Sequence, residues 1–130
     1  MHPIKCSLII STYNWPQALE LCLNSVAVQK HLPNEVIIAD DGSDDKTKSL
    51  IDQLKKDFPV PLIHVWHEDK GFRKTIILNK AVHQSTCEYI IQVDGDVVLD
   101  KHFIGDHLSS TEPATFIRGT RAMLTKEKTE

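Results

Sequence analysis

The chain has 130 residues, 41% of them hydrophobic and 25% charged, and a formal net charge of −3. That size and balance suit one soluble globular domain with a single core and are too small for two. They exclude a general electrostatic attraction to nucleic acid, and no apolar run is long enough to cross a bilayer.

The N-terminal run MHPIKCSLII lacks the layout of a signal peptide. Cys6, Cys22 and Cys87 are odd in number and widely spaced, which predicts reduced thiols in a cytoplasmic protein, with room for peripheral attachment at the inner membrane face. None of the seven histidines forms a helical H-x-x-x-H pair. His64 and His67 straddle a strand-like segment and should face opposite sides of it, which argues against histidine-bound zinc.

Lys5 to Thr12 reads as a first strand, apolar through Leu8-Ile9-Ile10 and ending in polar Thr12-Tyr13-Asn14. Pro16 suits the first turn of a helix whose inner face is Leu19, Leu23, Val26 and Ala27. Glu35 to Asp40 is a second strand, ending in Asp40-Asp41-Gly42-Ser43. Asp44 and Asp45 then read as helix-start acids and Lys55-Lys56 as a helix end, both suited to the helix dipole. Leu50, Ile51, Leu54 and Phe58 make the buried stripe of that helix. Leu62 to Trp66 is a third strand, 67–73 a loop, and Lys74 to Gln84 a third helix with Ile77, Leu78 and Ala81 inward. Tyr89 to Val93 is a fourth strand, and it runs into Asp94-Gly95-Asp96. Phe103 to Leu108 suggests a short helix, and Ala114 to Leu124 one or two further strands. The domain is expected over 1–125, with a polar tail at 126–130.

Strands alternate with helices almost without interruption, which predicts an α/β fold of three layers, with helices on both faces of a mostly parallel sheet. In such a sheet the carboxyl ends of the strands share one edge, so three polar clusters should converge there. A D-x-D pattern alone is weak, and convergence strengthens it. Asp94 and Asp96 suit a hard divalent cation, Mn²⁺ or Mg²⁺. The remaining carboxylates suit the N–H of a base or the hydroxyls of a ribose, with the cation screening them from a pyrophosphate. STYNWP follows the first strand where a dinucleotide fold would carry G-x-G-x-x-G, and a P-loop is missing too. The same lack of a basic, glycine-rich loop counts against a nucleotidyltransferase.

Taken together, SLIISTYN, EVIIADDGSDDKT, EDKGFRKTIILNKAV and EYIIQVDGD resemble the family-2 glycosyltransferases of the GT-A fold, in order and spacing, over nearly all of the chain. The E-D-K-G-F-R and D-G-D versions look closest to bacterial members that build polysaccharides. The resemblance implies metal-dependent, inverting transfer of a sugar from a nucleoside diphosphate donor, usually UDP-linked, to a saccharide or lipid-linked saccharide acceptor. It implies that Thr12 and Tyr13 line the uracil beside Asn14, that Asp40 accepts from the base while Asp41 holds the loop or the ribose, and that Arg73, after Gly71, reaches the base or diphosphate. Asp94 and Gly95 would meet the ribose, Asp96 with Asp94 the metal, and Asn79 would brace the third helix. Trp15 and Trp66 are expected to be packing residues rather than sugar platforms.

An inverting transfer needs a general base. The family supplies it after the D-x-D, and no residue among the 34 that follow Asp96 matches it. The chain is therefore expected to be the nucleotide-binding half of a transferase. The alternative is a donor-binding module without transfer of its own, open to homo-oligomer formation through an uncovered sheet edge or face.

Overall fold

The computed structural model describes residues 5–71 and 73–109. The elements follow one another as β1 (Cys6–Thr12), α1 (Pro16–Ala27), β2 (Glu35–Asp40), α2 (Asp45–Lys55), β3 (Leu62–Trp66), α3 (Lys74–Gln84), β4 (Tyr89–Asp94) and α4 (Phe103–Ser109). The expected strands over 114–124, the 1–125 boundary and the tail at 126–130 fall outside the described residues.

All the strand pairs are parallel, in the order β3-β2-β1-β4. Period-two alternation sorts the strand side chains onto two faces. Leu8, Ile10, Val36, Ile38, Ile91 and Val93 pack in the larger core with Leu19, Leu23 and Val26 of α1, Ile51 of α2 and Ile104 of α4. Ile9, Ile37 and Ala39 pack on the opposite face with Ile77 and Ala81 of α3. Both faces of β1 and β2 are thus apolar, as a doubly covered parallel sheet requires. The result is the three-layer α/β architecture that the alternation predicts. Burial pushes the Cys6 and Cys22 thiols up to about 12, so neither is a nucleophile at neutral pH.

Two details of the sheet decide where a ligand can sit. The chain steps outward from β1 to β2 to β3, then returns to pair β4 with the other side of β1. The crevice at the carboxyl ends of β1 and β4 is therefore a topological switch point, where open α/β sheets bind ligands. The segment after β4 is also fastened to α1 by buried polar side chains. Ser25 Oγ accepts from Leu99 N (3.0 Å), Gln29 Oε1 from Ile104 N (3.0 Å), and Gln29 Nε2 donates to Asp100 O (2.5 Å). Ser25 Oγ and both amide atoms of Gln29 are thus paired, so these side chains hold the chain after Asp94-Gly95-Asp96 at little desolvation cost.

Candidate functional site

A cavity of about 440 Å³ opens at the switch point, large enough for a small-molecule ligand. It is lined by Ser11, Thr12, Tyr13 and Trp15 after β1, Ala39 and Asp41 at the end of β2, and Asp69 and Gly71 of the β3–α3 loop. Lys74 and Ile77 of α3 and Asp94, Gly95 and Asp96 after β4 complete the wall. Of the residues expected from sequence, Thr12, Tyr13, Asp41, Asp94, Gly95 and Asp96 meet there.

Asn14, Asp40 and Arg73 do not line the cavity. Asp40 and Asp41 are neighbours at a strand end, so their side chains go to opposite faces. Asp40 is fully buried, accepting from Ser43 N (2.8 Å) on Oδ1 and from His64 Nε2 (2.8 Å) on Oδ2. Asn14 stands at φ 46°, its N donating to Ser43 Oγ (2.7 Å) and its Oδ1 accepting from Asp44 N (2.8 Å). It fastens the loop after β1 to the loop after β2. The Arg73 guanidinium donates to Glu68 O (2.9 Å), tying up its own loop. Asn79 lies exposed on α3.

Asp41 is held from two sides. Arg73 N donates to Oδ2 (2.9 Å) and His67 Nε2 meets Oδ1 (2.5 Å). The other ring nitrogen, His67 Nδ1, lies 3.3 Å from Lys80 Nζ. An ammonium only donates, so Nδ1 accepts and the ring proton sits on Nε2, facing Asp41. The Asp41 side chain is 9% exposed and keeps further lone pairs for a ligand N–H. His64 and His67 do face opposite sides, and each meets a different aspartate.

Asp94 is a register partner of Ser11, whose Oγ donates to Asp94 Oδ1 (3.1 Å). Lys74 Nζ donates to the same oxygen at 2.7 Å. Asp96, two residues on, is exposed, and among the described residues no hydrogen bond holds its carboxylate. Gly95 N donates to Ser11 O (2.7 Å), and a Cβ at position 95 would stand 2.6 Å from that same oxygen. No cluster of three or more metal-ligating side chains exists among the described residues. The donor set nevertheless fits a hard cation, because two carboxylates face one cavity that leaves room for waters and ligand oxygens.

Tyr13 is half exposed, and its hydroxyl donates to Asp69 Oδ2 (2.7 Å). That bond raises the Tyr13 phenol and lowers the Asp69 carboxyl from their ordinary values. Gly71 N adds a second bond to Asp69, on Oδ1 (3.1 Å).

The two tryptophans depart from expectation. Trp15 is 55% and Trp66 51% exposed, so neither is a packing residue. Trp15 takes the N-cap position of α1 without a side-chain cap bond, and its ring reaches the cavity wall. Trp66 closes the edge strand β3 and spends its one donor on Ser43 O (3.0 Å). Lys74, His67, Asp69 and Trp15 are the site residues that sequence reasoning missed. The signal for His67, Asp69 and Lys74 was the polar run between β3 and α3, and for Trp15 the polar end of β1, and neither says which side chains turn inward.

Comparison with known proteins agrees with this architecture. Residues 7–114 match the model of "Glycosyl transferase family 2". A glycosyltransferase of Nostoc sp. (strain PCC 7120) is 32% identical over 99 residues, which cover 76% of this chain and 30% of that protein. Poly-β-1,6-N-acetyl-D-glucosamine synthase of Staphylococcus aureus is 28% identical over 95 residues, covering 73% of this chain and 22% of the synthase. The crystal structure of Staphylococcus aureus TarS in complex with UDP superposes with a TM-score of 0.72 at 28% identity, over 82% of this chain and 31% of that one. This chain thus spans less than a third of the length of these relatives. With its fold, its rim of acids and a family match over most of its length, the chain belongs to glycosyl transferase family 2.

Proposed function

We propose that this chain binds the donor of a glycosyltransferase, a UDP-linked sugar accompanied by Mn²⁺ or Mg²⁺, in the cavity between β1 and β4. The intact enzyme would transfer the sugar with inversion to a saccharide or lipid-linked saccharide. The observation that carries this reading is the meeting of Asp41, Asp94 and Asp96 on one cavity at the switch point. The UDP complex of TarS supports the choice of nucleotide, and the synthase supports a saccharide product.

Within that reading the side chains divide the work. Asp41, fixed by His67 and by Arg73 N, accepts the N–H of the base. Tyr13, steadied by Asp69, offers its ring for the base to pack on. Thr12 borders the base, and Asp94 meets the ribose. Asp96 with Asp94 would hold the cation, which when bound neutralises the departing diphosphate.

Titration calorimetry of UDP into the chain, with and without Mn²⁺, tests the reading. Binding should require the metal and disappear in Asp96→Ala. No binding in either condition would remove the donor assignment.

A second reading, a donor-binding module without transfer of its own, rests on the state of the wall. Asp69 is held below its ordinary value by Tyr13 and Gly71 N, which makes it a poor general base. Release of UDP from UDP-sugar with a saccharide acceptor present separates the two readings.

A further inference from the structure

Lys74 sits where neither helix chemistry nor packing accounts for it. It is the first residue of α3, beside an N-cap arginine, in a first turn that carries no acid. A cation at a helix N-terminus opposes the dipole, so the helix itself disfavours a lysine there. The side chain is 32% exposed, and the ammonium lies 2.7 Å from Asp94 Oδ1, on the wall of the cavity. Lys74 therefore neutralises one of the two carboxylates suited to a cation and leaves Asp96 as the other.

This arrangement sets up a competition. A divalent cation approaching alone meets an acid pair of which one member already has a counter-ion. A nucleoside diphosphate brings several negative oxygens to the same wall and supplies the lysine with another partner. A lysine ammonium is a point charge on a flexible stem with three rotatable donors, suited to such an exchange.

We propose that Lys74 is an exchangeable counter-ion. Without donor it pairs with Asp94. When the nucleotide enters with its cation, Asp94 would give up Lys74 to help hold the cation, and Lys74 turns to the diphosphate. Metal and nucleotide then bind as one unit, each weakly without the other. This inference rests on the donor-binding reading above.

The test is titration calorimetry of Mn²⁺ alone, and of UDP in saturating Mn²⁺, on the wild-type chain and on Lys74→Met. Lys74→Gln is measured in the same way where the methionine variant fails to fold, as judged by circular dichroism. Removing the charge should tighten Mn²⁺ binding about 3- to 5-fold, the scale of a partly exposed ion pair. It should weaken UDP binding about 10-fold, the scale of one charge-assisted hydrogen bond to phosphate. Opposite signs are the signature, because a merely structural lysine would lower both affinities together. Mn²⁺ affinity that stays level or falls, or UDP affinity that does not move, overturns the exchange while leaving the donor site standing. Wild-type chain that never binds UDP with Mn²⁺ overturns the donor reading, and the exchange with it.

Discussion

The two ends of the same sheet treat buried acid in opposite ways. At the amino end, Glu35 is 6% exposed and accepts from Ser7 Oγ (2.5 Å), Thr86 N (2.8 Å) and Thr86 Oγ1 (3.1 Å). Ser7 Oγ also meets Ser85 Oγ (2.7 Å), so the cluster closes on itself. Each partner there is neutral, and the charge has nowhere to go. At the carboxyl end, Asp40, Asp41 and Asp94 are met by His64, His67 and Lys74, side chains that carry or can carry charge. Asp41 and Asp94 also face an open cavity. A carboxylate satisfied by neutral donors fixed in the fold stabilises it. A carboxylate paired with a lysine at an open wall, as Asp94 is with Lys74, can exchange that partner for a ligand.

The contrast is sharpest if each end is removed in turn. Glu35→Ala removes three hydrogen bonds to a carboxylate, one of them from buried Ser7, and should cost about 3 kcal/mol of stability, read from urea unfolding, with UDP affinity of the folded protein unchanged. A fall in affinity with no loss of stability would break the distinction. Asp41→Asn keeps the shape but swaps a charged acceptor for a neutral amide. It should weaken UDP by about 2 kcal/mol, a factor of ~30, and cost about 1 kcal/mol of stability, because the amide NH2 must face Arg73 N or His67 Nε2.

Gly42→Ala probes how the carboxyl end is held. Gly42 stands at φ +96°, and a Cβ there would fall 2.5 Å from Asp69 Cα. Loss of about 1–2 kcal/mol is expected, with weaker UDP binding as Asp69 and Tyr13 are pushed out of place. Unchanged binding would show that this loop does not shape the site.

The smallest effect is in the acid limb of stability. Burial works to raise the Glu35 carboxyl, but the bonds from Ser7 and Thr86 outweigh it and hold the group below its ordinary value. A depressed carboxyl adds stability above its unfolded-state value and loses it as pH falls through the folded one. Glu35→Gln should therefore be less stable than wild type at neutral pH, and the gap should narrow below about pH 4.3. A gap that is constant with pH would remove this linkage.

Much of this was legible in the chain. Among the described residues most strand and helix bounds fall within a residue or so of the periodicity, because apolar runs and polar strand ends alternate cleanly, though α1 stops at Ala27 where its pattern runs on to Lys30. Thr12, Tyr13, Asp41, Asp94, Gly95 and Asp96 reach one wall because parallel strands put their carboxyl ends on one edge. The resemblance puts Asp40 on the base and Asp41 on the loop or ribose, yet a strand end sends neighbours to opposite faces, and of the two Asp41 lines the cavity while Asp40 is buried against His64. Lys74 resembles any surface lysine until α3 is laid across β1 and β2 and its first residue reaches Asp94. The half-exposed tryptophans are not legible in this way, since a large apolar ring is usually buried unless a helix start or a sheet edge holds it out.

The bond from Gly95 N to Ser11 O has a thermodynamic consequence for the acid pair. It anchors the turn between the two carboxylates to the central strand, while the seam at Ser25 and Gln29 holds the chain beyond. An ion-binding loop that must fold around its ion loses conformational freedom at the moment of capture. Here that freedom is already gone once the domain has folded. Capture of a cation by Asp94 and Asp96 should therefore slow amide hydrogen exchange at β1 and β4 only by the common factor that binding adds to global stability, with no further protection from local ordering of the turn.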